Sequence, residues 1–365
     1  MKIVVIGTRG IPDILGGVET HCEELYPRIA AMGHDVTVIR RTPYIADDNR
    51  RTSYRGVRLI DVYAPRKKSL EAIVHTMLGV IRARGLRPDI VHIHAIGPAV
   101  VTPFARLLGL KVVMTNHGPD YDRQKWGRLA KSVLKFGERM GTRFSNRVIV
   151  ISEVIAGILK KRYGFSTPDL IFNGVNRPEK SPRTDYLSTI GLADTRYILA
   201  IGRFVKEKGF HDLIDAFAAS GLAGKGIRLA IAGDSDHEDS YSLSLKAKAR
   251  ENGVVLTGFI RGEKLNQLMS NASLFVLPSY HEGLPIALLE AMSYDLDVVV
   301  SDIPANRISA LRSDDFFPAG DVRALSEALC RRCSAGRSPR SYDLSPYDWD
   351  CIARRTVEVY EKVLG

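Results

Sequence analysis

Twice along this chain, short runs of β-branched and other apolar residues alternate with longer amphipathic runs. The first series falls at residues 2–6, 35–39, 57–62, 90–93, 112–115 and 148–151, the second at 197–201, 228–232, 254–257, 274–277 and 298–301. Helical patterns lie between them, for example over 18–32 and 70–84. Strands alternating with helices imply parallel βαβ units, so each series predicts a doubly wound sheet. Its 365 residues suit about two domains. The polar, proline-bearing stretch 176–194 reads as the linker. Residues 347–364 read as a final helix with apolar Ile352, Val357, Val359 and Val363. The expected organisation is a Rossmann-like domain over 1–177, a second Rossmann-like domain over 178–346, and a terminal helix, 347–365, crossing back to the first. The two halves face a cleft, with ligand at the carboxyl ends of the strands.

Charge separates the halves. Residues 1–177 carry 29 Lys/Arg and 15 Asp/Glu, a net +14; the remainder carries 23 and 26, a net −3. A basic first half calls for an anionic partner: phosphate, nucleic acid or a membrane surface. With mean hydropathy −0.06, no apolar run is long enough to span a bilayer. The start, MKIVVIGTRG, has too short an apolar run for a secretory leader. Four cysteines are too few for a disulfide framework, which suggests a reducing, cytoplasmic setting. Cys330 and Cys333 form a C-x-x-C, but it has no second pair and no redox context. Residues 120–143 read as a basic helix with Trp126 near its start. Its apolar stripe is Leu129, Val133, Leu134, Phe136 and Met140, set among Lys125, Arg128, Lys131, Lys135 and Arg139. Such a helix packs on a core or, with Arg66, Lys67 and Lys68, rests on anionic lipid.

The stretch SYHEGLPIALLEAMSY, residues 279–294, concentrates the chemistry. A buried strand stops at Pro278, a loop follows, and Pro285 opens a helix, because proline at a first helical position loses no needed hydrogen bond. Backbone N–H groups at such a terminus favour an anion. Glu282 and Glu290 beside it suit hydroxyls rather than phosphate, which points to a ligand carrying both. On spacing alone, a capping Glu plus a solvated Glu explains the pair equally well. The turn GTRGIPDILGGVET, residues 7–20, lacks G-x-G-x-x-G, and the second strand ends in Arg40-Arg41 rather than an acidic residue. NAD is thus weakly supported, with NADP a minor option. Gly16-Gly17 before a helix lets backbone approach a ligand. His92 and His94 share one strand face and, without a third ligand, read as structural or lining residues. His117 follows a strand, where catalytic groups collect. After another strand, Arg203 and Lys208 suit a diphosphate, although a solvated basic loop is the common alternative. Gly258 and Phe259 end a further strand.

In this order, the glycine loop, His117, G-R-x-x-x-x-K-G at 202–209 and E-x7-E at 282–290 resemble the retaining GT-B glycosyltransferases, family 4 in particular. The start GTRGIP-x-x-x-GG-x-E looks like a subset acting in bacterial surface-polysaccharide assembly. The resemblance covers nearly the whole chain. It implies a GT-B fold and transfer of a hexose or deoxyhexose from a nucleoside-diphosphate sugar to a glycan or lipid-linked hydroxyl acceptor. No metal or other cofactor is implied, and direct front-face displacement fits better than a covalent intermediate. It also implies that His117 touches the donor sugar, Glu282 its hydroxyls and Glu290 the ribose. Arg203, Lys208 and the backbone of Gly283, Leu284 and Pro285 meet the departing diphosphate. Gly16 and Gly17 meet donor diphosphate or acceptor, and Gly258 and Phe259 border the base. His281 and E-G-L-P-I depart from the family's frequent E-G-F-G, beside the sugar pocket. The expected place is cytoplasmic, peripheral at the inner face of the membrane, with no nucleic acid bound. The competing readings are a two-Rossmann nucleotide-sugar epimerase, a basic nucleic-acid binder, and an NADP dehydrogenase.

Overall fold

A computed structural model describes residues 1–14, 16–45, 49–65, 71–122, 127–235, 238–335 and 339–365. The chain divides into two compact units, one of residues 1–174 and 346–365, the other of 175–345. In chain order the first comprises β1 (Lys2–Ile6), α1 (Gly17–Ala31), β2 (Asp35–Arg41), β3 (Ser53–Tyr54), β4 (Val57–Val62), α2 (Glu71–Leu86) and β5 (Ile90–His94). It continues with α3 (Thr102–Leu107), β6 (Val112–Asn116), α4 (Arg128–Phe144), β7 (Arg147–Val150), α5 (Glu153–Tyr163) and β8 (Asp169–Leu170). Among the described residues these strands form one sheet in the order β3-β4-β2-β1-β5-β6-β7-β8, parallel except for the β3–β4 hairpin. Strand order reverses between β1 and β5. That is where an open α/β sheet opens a crevice at its carboxyl edge.

The second unit runs α6 (Asp185–Thr189), β9 (Tyr197–Ile201), α7 (Phe210–Ser220), β10 (Arg228–Ala232), α8 (Ser240–Glu251), β11 (Val255–Leu256), α9 (Gly262–Asn271) and β12 (Leu274–Leu277). It ends with α10 (Ile286–Ser293), β13 (Val298–Ser301), β14 (Phe316–Phe317) and α11 (Val322–Ser334). Its parallel sheet has the order β11-β10-β9-β12-β13-β14, with the reversal between β9 and β12. Both sheets carry near-continuous apolar strands, as parallel sheets covered on two faces require.

The last helix, α12 (Trp349–Leu364), belongs to the first unit. Asp348 caps it by accepting from the amide of Cys351 at 2.8 Å. Trp349, Ile352, Ala353, Val357, Val359 and Tyr360 are buried in a core shared with Leu25, Tyr26 and Ile29 of α1.

Four expectations change. The presumed linker carries α6, whose Leu187 is buried. Pro285 stands just before α10, its carbonyl accepting from the amides of Leu288 and Leu289. The strand expected at 254–257 pairs only over Val255–Leu256. The basic helix begins at Arg128, because residues 120–122 form a separate 3-10 turn and Gly127 is extended. Its apolar stripe is not its buried face: Leu129 is 81% exposed and Phe136 53%. The buried face is Gly137, Glu138, Gly141 and Thr142. A Cβ on Gly137 would lie 2.1 Å from the carbonyl oxygen of Ile96, so the helix backbone sits directly on the chain below it. Arg66, Lys67, Lys68, Lys125 and Trp126 lie outside the described residues. Among the described residues, no helix is long and apolar enough to cross a membrane.

Candidate active site

In the second unit, the loops after β9 and β12 meet at the sheet's reversal point. The amide of Tyr280 donates to the carbonyl of Glu207 at 2.8 Å. Gly209 has φ +66, and a Cβ there would meet the carbonyl oxygen of Pro278 at 2.1 Å. Glycine is thus required at both counts. The docking brings together two residues 74 positions apart: Lys208 Nζ donates to Glu282 Oε1 at 2.6 Å. Ser279 Oγ donates to the same oxygen at 2.7 Å. The Lys208 and Glu282 side chains are 20% and 11% exposed. Burial works against the Glu282 carboxylate. The Lys208 charge, the hydrogen bonds from Lys208 and Ser279, and His281 together hold it below its ordinary value.

A depressed carboxylate contributes stability above its unfolded value and loses it as pH falls through the folded one. Urea midpoints of the parent and Glu282→Gln should therefore converge as pH falls below about 4.5, the ordinary value. A gap that stays constant through the acid range would exclude this carboxylate from the acid response.

Arg203 lies in the same loop as Lys208, directly after β9. Gly283, Leu284 and Pro285 connect Glu282 to α10, and Glu290 sits in the second turn of that helix. Gly258, φ +66, bridges to Gly233 at the end of β10, and Phe259 beside it is 44% exposed under the Arg261 guanidinium, 4.4 Å away. All of these follow the carboxyl ends of β9, β11 and β12.

In the first unit, Gly16 has φ +147, and a Cβ there would strike Glu19 Oε2 at 2.0 Å. Glu19 in turn ties down the turn after β1, accepting from the amide of Arg9 at 3.0 Å and from Thr8 Oγ1 at 3.3 Å. At Gly17 a Cβ meets nothing within 4 Å, so the fold itself makes no demand for glycine there. Arg40 and Arg41 are not placed for a nucleotide phosphate. Arg40 is buried, bonding Asp61 at 2.7 and 3.1 Å and three carbonyls, while Arg41 pairs with Glu71 at 2.8 Å and with the carbonyl of Gly7. Internal charge pairing consumes the feature that favoured NADP.

His117 follows β6 and joins a buried polar chain. Its Nε2 lies 2.8 Å from His94 Nδ1, and His94 Nε2 lies 2.5 Å from the Tyr26 hydroxyl. His92 stacks on His94 at 4.3 Å between ring centroids, with Nδ1 meeting Tyr360 at 2.6 Å and Nε2 meeting Thr115 at 2.7 Å. Burial lowers all four histidines of the cluster. His21 is brought down to about 4 and His92 to about 3, while His94 and His117 go well below the ordinary value, each helped by neighbouring imidazoles. The strand histidines therefore have the third and fourth imidazoles that spacing did not reveal: His21, from α1, and His117. Neither His21 nor Ser279 stands out in sequence. The only available signals were their places just after Gly16-Gly17 and just before Glu282.

Residues 15–177 match the family model Glycosyltransferase Family 4, and residues 189–331 match Glycosyl transferases group 1. The chain is a family 4-like GT-B glycosyltransferase. An uncharacterized glycosyltransferase of Methanocaldococcus jannaschii is 26% identical over 99% of this chain and 98% of its own. A GDP-mannose:cellobiosyl-diphosphopolyprenol alpha-mannosyltransferase of Xanthomonas campestris is 28% identical over 82% of this chain and 80% of its own. Among solved structures, HepE of Anabaena in complex with UDP-glucose superposes with a TM-score of 0.79, at 18% identity, over 99% of this chain and 100% of that one. That likeness is one of fold. The family 4-like glycosyltransferase thus carries its carboxylates, its basic loop and its histidines at the carboxyl edges of two GT-B sheets.

Proposed function

We propose that this glycosyltransferase moves a hexose or deoxyhexose, with retention, from a nucleoside-diphosphate sugar to a hydroxyl of a lipid-linked glycan acceptor in bacterial polysaccharide biosynthesis. The observation that carries the reading is the Lys208–Glu282–Ser279 cluster at the reversal point of the second sheet, with Arg203 in the same loop. Breaking the anomeric bond leaves negative charge on the diphosphate, and fixed cations offset it without reorganising. An ammonium has three N–H groups. One is given to Glu282, and the phosphate oxygens take the others, joined by Arg203 and the backbone of Gly283 to Pro285. Lys208 and Ser279 both bond Oε1, so Oε2 of Glu282 serves the sugar hydroxyls. Glu290 holds the ribose, Gly258 and Phe259 border the base, and His117 contacts the sugar. Gly16 and Gly17 border the diphosphate or the acceptor; the unfilled space at Gly17 suits close approach of a ligand. No metal is assigned to this step.

The acceptor reading draws on α4, where Leu129, Phe136 and Phe144 are exposed next to Lys135, Arg139 and Arg143. Such a face suits the surface of an anionic leaflet, so the protein works at the cytoplasmic side of the membrane.

Thermal unfolding with UDP, GDP, dTDP, ADP or NADP tests the donor site. One diphosphate at about 100 times its Kd should stabilise by about 2.7 kcal/mol, a rise of several degrees, and Glu290→Ala should abolish it. No shift with any diphosphate, or a shift with NADP alone, would overturn the reading.

A further inference from the structure

We infer that His21, His94 and His117 form a binding site for a divalent transition cation of the zinc class, wholly within the first unit. One ring nitrogen from each lies within 4.8 Å of the others. His94 is fully buried, His21 is 3% exposed, and His117 is partly exposed, which leaves a way in. Zinc–imidazole bonds of about 2.0–2.1 Å in a tetrahedral shell set neighbouring nitrogens about 3.3 Å apart. The three nitrogens bracket that spacing: His94 and His117 are at 2.8 Å, and the widest pair is within 4.8 Å. To share one ion, the His94 and His117 rings turn out of their mutual hydrogen bond and His21 draws in. Three histidines leave a fourth position for water.

The outer nitrogens support this assignment. Metal-bound imidazoles donate their other N–H to an oxygen, which fixes the tautomer. His21 Nδ1 lies 3.0 Å from Asn173 Oδ1, an acceptor, so this nitrogen carries the proton and Nε2 presents its lone pair. His94 Nε2 faces the Tyr26 oxygen. Without metal, a proton sits between His94 Nδ1 and His117 Nε2, because two facing lone pairs would repel. On binding, it moves to His94 Nε2 if His94 carried it. There the Tyr26 oxygen accepts it, and the tyrosine turns its own proton to the Tyr360 oxygen, while Tyr360 donates to His92 Nδ1 at 2.6 Å. The neutral state that burial imposes on all three is the ligand form of histidine. Thiols take no part in the site: Cys22 is buried on the same helix as His21 but is not among the grouped ligands, and the Cys330/Cys333 pair belongs to the other unit.

The site does not depend on the transferase reading, and its test is a binding measurement on the full-length protein stripped with a chelator. Titration with Co(II) should saturate at one ion per chain with visible d–d absorption and no thiolate charge-transfer band, and Zn(II) should displace it, following the usual affinity order. His21→Ala should abolish the absorption. Asn173→Ala should weaken binding about 10- to 100-fold by releasing the His21 ring. If His21→Ala fails to fold, as judged by circular dichroism, His117→Gln at the partly exposed position takes its place. The Cys330→Ser/Cys333→Ser double variant should bind as the parent does. Absence of saturable binding at millimolar Co(II) and Zn(II), survival of binding in the histidine variant, or its loss in the cysteine variant would each overturn the assignment. Diphosphate-induced stabilisation in the same samples reports separately on the donor site.

Discussion

Replacing Lys208 by alanine is expected to lower kcat by about 10²–10³-fold, the cost of removing one preorganised group that stabilises developing charge. Two effects act together. In the proposed clamp, the diphosphate loses a cation held close to the bond that breaks. The Glu282 carboxylate also loses its strongest favourable partner and keeps only Ser279 and His281 against burial. Its proton affinity therefore rises, and the acid limb of the pH–rate profile should move upward. Breaking a fully buried pair costs about 3–5 kcal/mol. With side chains 20% and 11% exposed, water relieves part of that, and a loss nearer about 1–2 kcal/mol is expected. Initial rates with saturating donor, measured beside a urea titration, separate the two effects. A variant that stays folded with kcat within threefold of the parent would remove Lys208 from the diphosphate clamp. Glu282→Gln gives the complementary result: it keeps the shape and a hydrogen-bond acceptor but discards the charge that holds Lys208. It should lose less activity than Lys208→Ala.

That pairing also marks how far the residues could be read in order. Strands such as β1, β9, β10, β12 and β13 announce themselves by near-continuous apolar runs, and their residue ranges follow closely from the runs. The two-residue strands β8 and β14 do not, because they exist only through the neighbour that pairs with them. In α4 the apolar stripe misleads. Side-chain hydrophobicity predicts Leu129 and Phe136 inside, whereas Gly137 lets the helix approach the Ile96 carbonyl and Gly141 lets it approach Met114 and Ala99, and that close packing turns the stripe outward. The same distinction holds at the site. Lys208 and Glu282 each lie in a loop after a strand, which sequence shows, but their contact depends on β9 and β12 being neighbours across the sheet's reversal. Likewise, His21 lies on a helix and gives no pattern. Only the packing of α1 against β5, where Tyr26 bonds His92 and His94, brings it within 5.0 Å, ring to ring, of His117.

Ending the chain at residue 345 is expected to unfold the first unit while leaving the residues of the second outside the affected core. Helix α12 contributes five large buried side chains, Trp349, Ile352, Val357, Val359 and Tyr360. At about 1.5–3 kcal/mol each, their burial is worth roughly 8–15 kcal/mol as an upper figure, comparable with the whole stability of a typical domain. The contact is close. A Cβ on Gly174 would lie 2.3 Å from the Trp349 ring, so the indole rests directly on the backbone at the end of the unit's first segment. Tyr360 also reaches the histidine cluster through His92, and Arg355 donates to the carbonyl of Leu170 in the edge strand β8 at 2.7 Å. Amide hydrogen exchange resolved by peptide should show protection lost across β1, β5 and β6 in the truncated chain and retained across β9, β10 and β12. Trp349→Ala, which keeps the helix, should cost about 3–5 kcal/mol. Tyr360→Phe, which keeps the ring and drops one hydrogen bond, should cost about 1 kcal/mol. If β1 and β5 remain protected without α12, the helix is an appendage and the core drawn through α1 and α12 is wrong. Graded losses in the order truncation, Trp349→Ala, Tyr360→Phe would instead establish that a helix read from the last residues of the chain completes the core of the first unit.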